Sequence, residues 1–264
     1  MRAREALFAR LIDDAGLFPP ARKEMAQAAE DHRAAEEGAN EWMLGRFLCP
    51  ASRLDELEPL AAPDWTIGVV SDRSWREDLD AALAFGADCL ELREPGPEAW
   101  DALARAPITV FIEDADSLEV LAQLGLGAKI RCGGATADAF PSNAAVASFI
   151  AQCKRHDIPF KATAGLHHSF RTTDEDLGVL QHGFVNLLAA TILEVPDERL
   201  EEVIAAPATT FVVHENYMRW HAFEADAGLI ALGRTRLTAF GSCSFHEPVD
   251  DLIGAGILPS ADPA

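Results

Sequence analysis

Four stretches decide the fold: DCLELR at 88–93, ITVFIED at 108–114, AKIRC at 128–132 and IPFKAT at 158–163. Each is a short run with apolar residues at alternate positions, the period of a β-strand. The segments between them are amphipathic and helical in pattern: PEAWDALARA, DSLEVLAQLG and NAAVASFIAQCKRH. Working backward, two more such runs begin near Leu44 and Thr66, followed by SRLDELEPLA and SWREDLDAALAFG. Strands that alternate with helices at a spacing of about twenty residues must lie parallel, because only a crossover helix returns the chain to the same edge. Six units at nearly constant spacing favour a closed barrel over an open sheet.

The remaining sequence supplies the other elements. Helical patterns occupy 183–193, 197–205 and 225–234, FVVHENYMRWHAF at 211–223 reads as two strands around a turn, and LTAFG is a last strand. Residues 3–12 and 21–38 read as helices around the loop DDAGLFPP, in which Pro19 and Pro20 stop any helix. The expected organisation is therefore a single (β/α)8 barrel of the TIM type over residues 41–258. Residues 1–40 form a helical extension packed on it, and residues 259–264 fray.

Composition narrows the function. The chain has 264 residues, 49% hydrophobic and 25% charged, an ordinary globular balance. Its formal net charge of −21 repels a phosphate backbone and an anionic lipid surface, so neither nucleic acid nor membrane is an expected partner. The longest apolar stretch, Phe184 to Val195, is too short for a span and contains Asn186, Thr191 and Glu194. Five cysteines without a CxxC pattern indicate neither a disulfide framework nor a cysteine-rich zinc site, and a reducing cytoplasm is the simplest compartment. The oligomeric state is not legible.

Alternation along the strands gives the candidate site. Leu90, Leu92, Val110, Ile112, Ile130, Phe160 and Ala162 fall on one face, which packs on helices. Glu91, Arg93, Glu113, Lys129, Arg131 and Lys161 fall on the other, which points into the barrel. Charges inside a barrel are costly unless they pair or bind something. Two acids against four bases leave a positive surplus, which fits a small anionic metabolite bearing a phosphate or carboxylate. A closed ion-pair network is the structural alternative.

On this reading Lys161, Glu113, His167 and Glu91 are the catalytic candidates. Lys161 sits among cations able to lower its pKa and free its amine for attack on a carbonyl; anion binding is its other use. Glu113 or His167 would move protons. Arg93, Lys129, Arg131 and His168 would hold the substrate, aided by backbone N–H groups of the Gly133–Gly134 and Ser242–Ser244 loops. No cofactor is required. A divalent metal on Glu91, Glu113, His167 and His214 is the alternative.

FKATAGLHH, CPASRL, AKIRCGG and GSCSFHEP together resemble an uncharacterised family of bacterial proteins, a resemblance that covers most of the chain and brings no activity with it. Lys161-Ala162-Thr163-Ala164-Gly165 is similar to the KTSTG strand of the deoxyribose-phosphate aldolases. Those are (β/α)8 enzymes whose lysine forms a Schiff base, and the resemblance implies that role for Lys161. Ala162 and Ala164 depart from that pattern, and the next strand has no counterpart of that family's second lysine. The expected function is a lyase or aldolase acting on a small phosphorylated or carboxylated carbonyl compound. A metal-dependent lyase or isomerase and a non-catalytic metabolite-binding barrel are the alternatives.

Overall fold

The computed structural model describes residues 1–260. Its strands are β1 (Ile12–Asp14), β2 (Leu44–Pro50), β3 (Ile67–Val70), β4 (Cys89–Arg93), β5 (Thr109–Glu113), β6 (Gly127–Arg131), β7 (Phe160–Thr163), β8 (Thr172–Asp174), β9 (Val179–Gln181), β10 (Phe211–Val213), β11 (Tyr217–Trp220), β12 (Phe223–Asp226) and β13 (Leu237–Ser242). Its helices are α1 (Ala3–Phe8), α2 (Met25–Glu36), α3 (Leu54–Leu57), α4 (Trp75–Phe85), α5 (Trp100–Ala104), α6 (Leu118–Leu124), α7 (Asn143–His156), α8 (Phe184–Ile192), α9 (Leu200–Ala205), α10 (Ala227–Arg234) and α11 (His246–Gly254). Strands β1 to β7 and β13 close a barrel in the order of the chain, every neighbouring pair parallel. Helices surround it, so the protein is a (β/α)8 barrel.

The six strands read from the rhythm of the sequence begin within two residues of their observed starts. The boundary drawn at residue 41 does not hold. The N-terminal segment carries the helices expected of it, but it also contributes β1, which pairs with β13 on one side and β2 on the other and so closes the barrel. Three residues, two of them aspartates, are too few to show a period of two, which is why the sequence alone put Ile12 at the end of a helix and Asp13 and Asp14 in a loop. Of the tail expected to fray, residues 261–264 lie outside the described residues.

The outer face of the strands meets the helices as the alternation requires. Phe160 is buried edge-on against Phe149 of α7, ring centroids 5.3 Å apart. Inside, Gly127 on β6 makes room for the Phe111 ring, whose atoms stand 2.5 Å from where a Cβ would be. Between β7 and β13 the chain makes a long excursion. It carries the β8–β9 hairpin, α8, α9 and the antiparallel sheet β10–β11–β12. The sheet lies beside α1, where the Ala3 N–H donates to the Glu215 carbonyl (2.9 Å). Leu17 is buried in the core after β1, with Phe18 packed against it. Among the described residues no helix is long and apolar enough to cross a membrane.

Candidate functional site

Glu91, Lys129 and Lys161 project from β4, β6 and β7 into the barrel, and β1 adds Asp13, which sequence reading missed. The four side chains are almost wholly dry, exposed by 2%, 6%, 1% and 0% respectively. The Lys161 ammonium is clamped between Asp13 and Glu91, with Nζ to Glu91 Oε1 at 2.5 Å. Glu91 bridges onward, its Oε2 lying 3.2 Å from Lys129 Nζ. Lys129 Nζ in turn lies 3.5 Å from Glu113 Oε2. A chain of alternating charge thus crosses the barrel from β1 to β5. Its four dry members sum to zero, the condition under which a low-dielectric interior tolerates them. The Phe111 ring, 5.8 Å from Lys161 Nζ, flanks the chain.

Two backbone details set this geometry. Asp13 Oδ1 accepts the Arg46 N–H (2.7 Å), fixing the carboxylate at the β1–β2 seam. Gly45 is what permits it, because a Cβ there would collide with that same oxygen.

The positive surplus lies elsewhere, at the C-terminal ends of the strands. Arg93, Glu113 and Arg131 are the last residues of β4, β5 and β6. Glu113, 15% exposed, shares Oε1 between Arg131 Nε (3.3 Å) and Arg93 Nε (3.7 Å). The guanidinium side chains are 70% and 43% exposed for Arg93 and Arg131. One carboxylate thus faces two open cations, at the end where barrel active sites sit.

The other candidates fall in a second group on the loops after β7 and β13. His167 Nδ1 lies 2.8 Å from Glu247 Oε2, and His168 Nδ1 3.4 Å from Asp251 Oδ1. A cavity of about 810 Å³ opens there, lined by His167, His168, Arg171, Cys243, Glu247 and Asp251 among others. The charged chain does not line it, so this cavity and the buried charges are separate features. Gly133 and Gly165 pack backbone to backbone, a Cβ on either falling 2.9 Å from the other's Cα, which ties the loops after β6 and β7 together. Ser242 and Ser244 are engaged in their own turn, the Ser242 hydroxyl donating to the Ser244 carbonyl (2.7 Å). His182, just before α8, and Asn186, within it, are buried and bonded to backbone groups of Pro141, Val203 and Ala206.

Two expectations need correction. The four groups offered as divalent ligands do not converge: Glu91 and Glu113 face lysines, and His214 lies between β10 and β11, stacked on Tyr217 with ring centroids 4.9 Å apart. Lys161 is also not a lysine among cations. Burial pushes its pKa down, but Asp13 and Glu91 outweigh burial and raise it above the ordinary lysine value, so the amine is held protonated. The sequence showed the neighbouring cations; it could not show that an acid from an unrecognised strand would reach the same lysine.

Glu91 is the counterpart. Burial pushes its pKa up, and the charges and hydrogen bonds of Lys161 and Lys129 outweigh that and hold it at about 2, below its ordinary 4.5. A carboxylate whose folded pKa is depressed contributes stability that is present above the unfolded value and lost as pH falls through the folded one. Denaturant midpoints are therefore expected to fall steadily from pH near 4.5 toward pH near 2. Glu91→Gln should flatten that slope; an unchanged acid limb in this variant would remove Glu91 as its source.

No protein-family model and no curated protein matches the sequence. Among solved structures, Yersinia pestis DHPS with a pterine-sulfa conjugate is similar at 10% identity with a TM-score of 0.47, over 94% of this chain and 93% of that one. Xanthomonas albilineans dihydropteroate synthase in complex with 7,8-dihydropteroate is similar at 14% identity and a TM-score of 0.43, over 99% and 100%. The HMG-CoA lyase from Brucella melitensis is similar at 15% identity and a TM-score of 0.36, over 97% and 85%.

Proposed function

We propose that this barrel is an enzyme of the lyase or aldolase type acting on a small carbonyl compound that carries a phosphate or carboxylate. The observation that carries the reading is the pair of exposed guanidinium groups, Arg93 and Arg131, sharing one carboxylate at the C-terminal rim above a dry chain of charges. The arginines hold the anionic end of the substrate. Glu113, beside them and 15% exposed, moves a proton at the adjacent carbon. The ammonium groups of Lys129 and Lys161 supply fixed positive charge below the rim, where negative charge develops on the carbonyl oxygen as an enolate forms. Glu91 positions both lysines, and Asp13 positions Lys161.

An iminium on Lys161, the route the sequence suggests, requires the ammonium to lose its proton first. Between Asp13 and Glu91 that loss is unfavourable, so this reading gives Lys161 an ammonium role. Borohydride treatment in the presence of small phosphorylated and 2-oxo carbonyl compounds separates the two. The expected intact mass is that of the unmodified chain; an adduct in the wild type that is missing in Lys161→Ala would restore the iminium.

Anion recognition is tested directly by titrating inorganic phosphate and the same carbonyl compounds calorimetrically. Arg131→Ala is expected to weaken binding by about 10- to 100-fold, the worth of a hydrogen bond to a charged group. Equal affinities in the wild type, Arg93→Ala and Arg131→Ala would remove the rim as the binding site.

A further inference from the structure

We infer that His167, Cys243 and Glu247 form a binding site for one zinc-like divalent cation at the C-terminal mouth, separate from the charged chain. The imidazole comes from the loop after β7, the thiol from the loop after β13 and the carboxylate from the first turn of α11. One donor atom from each lies within 4.8 Å of the others. Donor atoms sharing a tetrahedral zinc stand roughly 3.5 Å apart, as bond lengths of 2.0–2.3 Å require. Closing the difference needs a small movement, and the Glu247 side chain, 59% exposed, has the freedom to make it.

The donor set names the metal. A thiolate and an imidazole with one carboxylate suit zinc and its first-row neighbours, whereas magnesium and calcium take oxygen ligands. The surroundings favour a cation as well: Glu247, Asp250 and Asp251 line the cavity beside Arg171. Three protein donors facing an open cavity leave a coordination position for water or for a substrate oxygen, the pattern of catalytic and not of structural zinc. Cys243 is also distinct among the cysteines. Cys49, Cys89, Cys132 and Cys153 are buried in the barrel and its helices, and Cys243 alone reaches the cavity. The pairing of β13 with β7 brings the loop that carries Cys243 beside the loop that carries His167.

The test uses the full chain, stripped with a chelator and titrated with cobalt(II), whose thiolate complexes absorb in the near ultraviolet. One equivalent is expected to bind with a thiolate-to-cobalt charge-transfer band, and zinc is expected to displace it. Cys243→Ala should abolish the band and weaken zinc binding by at least about 100-fold, and Glu247→Gln, on the exposed start of α11, should weaken it by about 10-fold or more with the band retained at saturation. Zinc should also protect Cys243 from alkylation by iodoacetamide. The inference is overturned if the wild type shows no charge-transfer band, if Cys243→Ala binds zinc as tightly as the wild type, or if alkylation of Cys243 is indifferent to zinc. Because the arginine rim is untouched by these variants, phosphate titration of the same proteins reads the proposed function independently.

Discussion

Lys161→Met is expected to lower the unfolding free energy by about 3–5 kcal/mol, the cost of removing one partner from a buried ion pair. The shape of the side chain is nearly kept, so the loss is electrostatic: Asp13 and Glu91 remain in the barrel with one fewer cation between them. At about 2–4 °C per kcal/mol for a chain of this size, the melting temperature should fall by roughly 6–20 °C. Adding Glu91→Gln to Lys161→Met should return part of that loss, because the second change removes a charge that the first left unpaired. Thermal melts of the two single variants and the double variant check this. A Lys161→Met protein that melts with the wild type would mean that these carboxylates are not held ionised by Lys161, and the alternating chain would lose its central link.

Arg234→Met should be the next most damaging change, at about 3 kcal/mol or more, since a hydrogen bond to a charged group is worth 1.5–3 kcal/mol. The Arg234 guanidinium at the end of α10 donates to five carbonyls: Leu237 (3.0 Å), Thr238 (2.9 Å), Ala6 (3.3 Å), Ala9 (3.3 Å) and Leu7. Ala6 and Leu7 are among the last residues of α1, whose terminal carbonyls have no partner within the helix. A cation there also complements the helix dipole. Burial pushes the Arg234 pKa down, opposed by Asp13, to about 10, so the group is still charged at neutral pH. It is the tie between α1, the start of β1 and β13. Without it the N-terminal segment that carries Asp13 should loosen before the rest of the barrel. Hydrogen exchange is the measurement. Amides of residues 3–14 should lose protection first in Arg234→Met, and uniform loss over the whole chain would show that the tie is not local.

The two groups of charges differ in how far the sequence disclosed them. Glu91, Glu113, Lys129 and Lys161 were legible because strand alternation is local: each residue's face follows from its neighbours two places away. Asp13 was not, because β1 is three residues long and its partners, β2 and β13, lie about 30 and 230 residues away in sequence. That omission altered the chemistry as well as the fold, since the missing acid is the one that, with Glu91, fixes the proton on Lys161. The count of two acids against four bases pointed to an anion. The positive surplus belongs to the exposed arginines, because the dry members close at zero.

His167 shows the same division. Its place at the rim followed from its position just past a strand, and its partner did not, because Glu247 is 80 residues further on. Local periodicity thus determined that this chain is a parallel barrel, where six of its strands begin and which strand residues point inward. Only the closure of the barrel decided which charges meet. Pairing across it joins residues from distant strands, and the balance between burying a charge and pairing it depends on those partners and not on the sequence beside it.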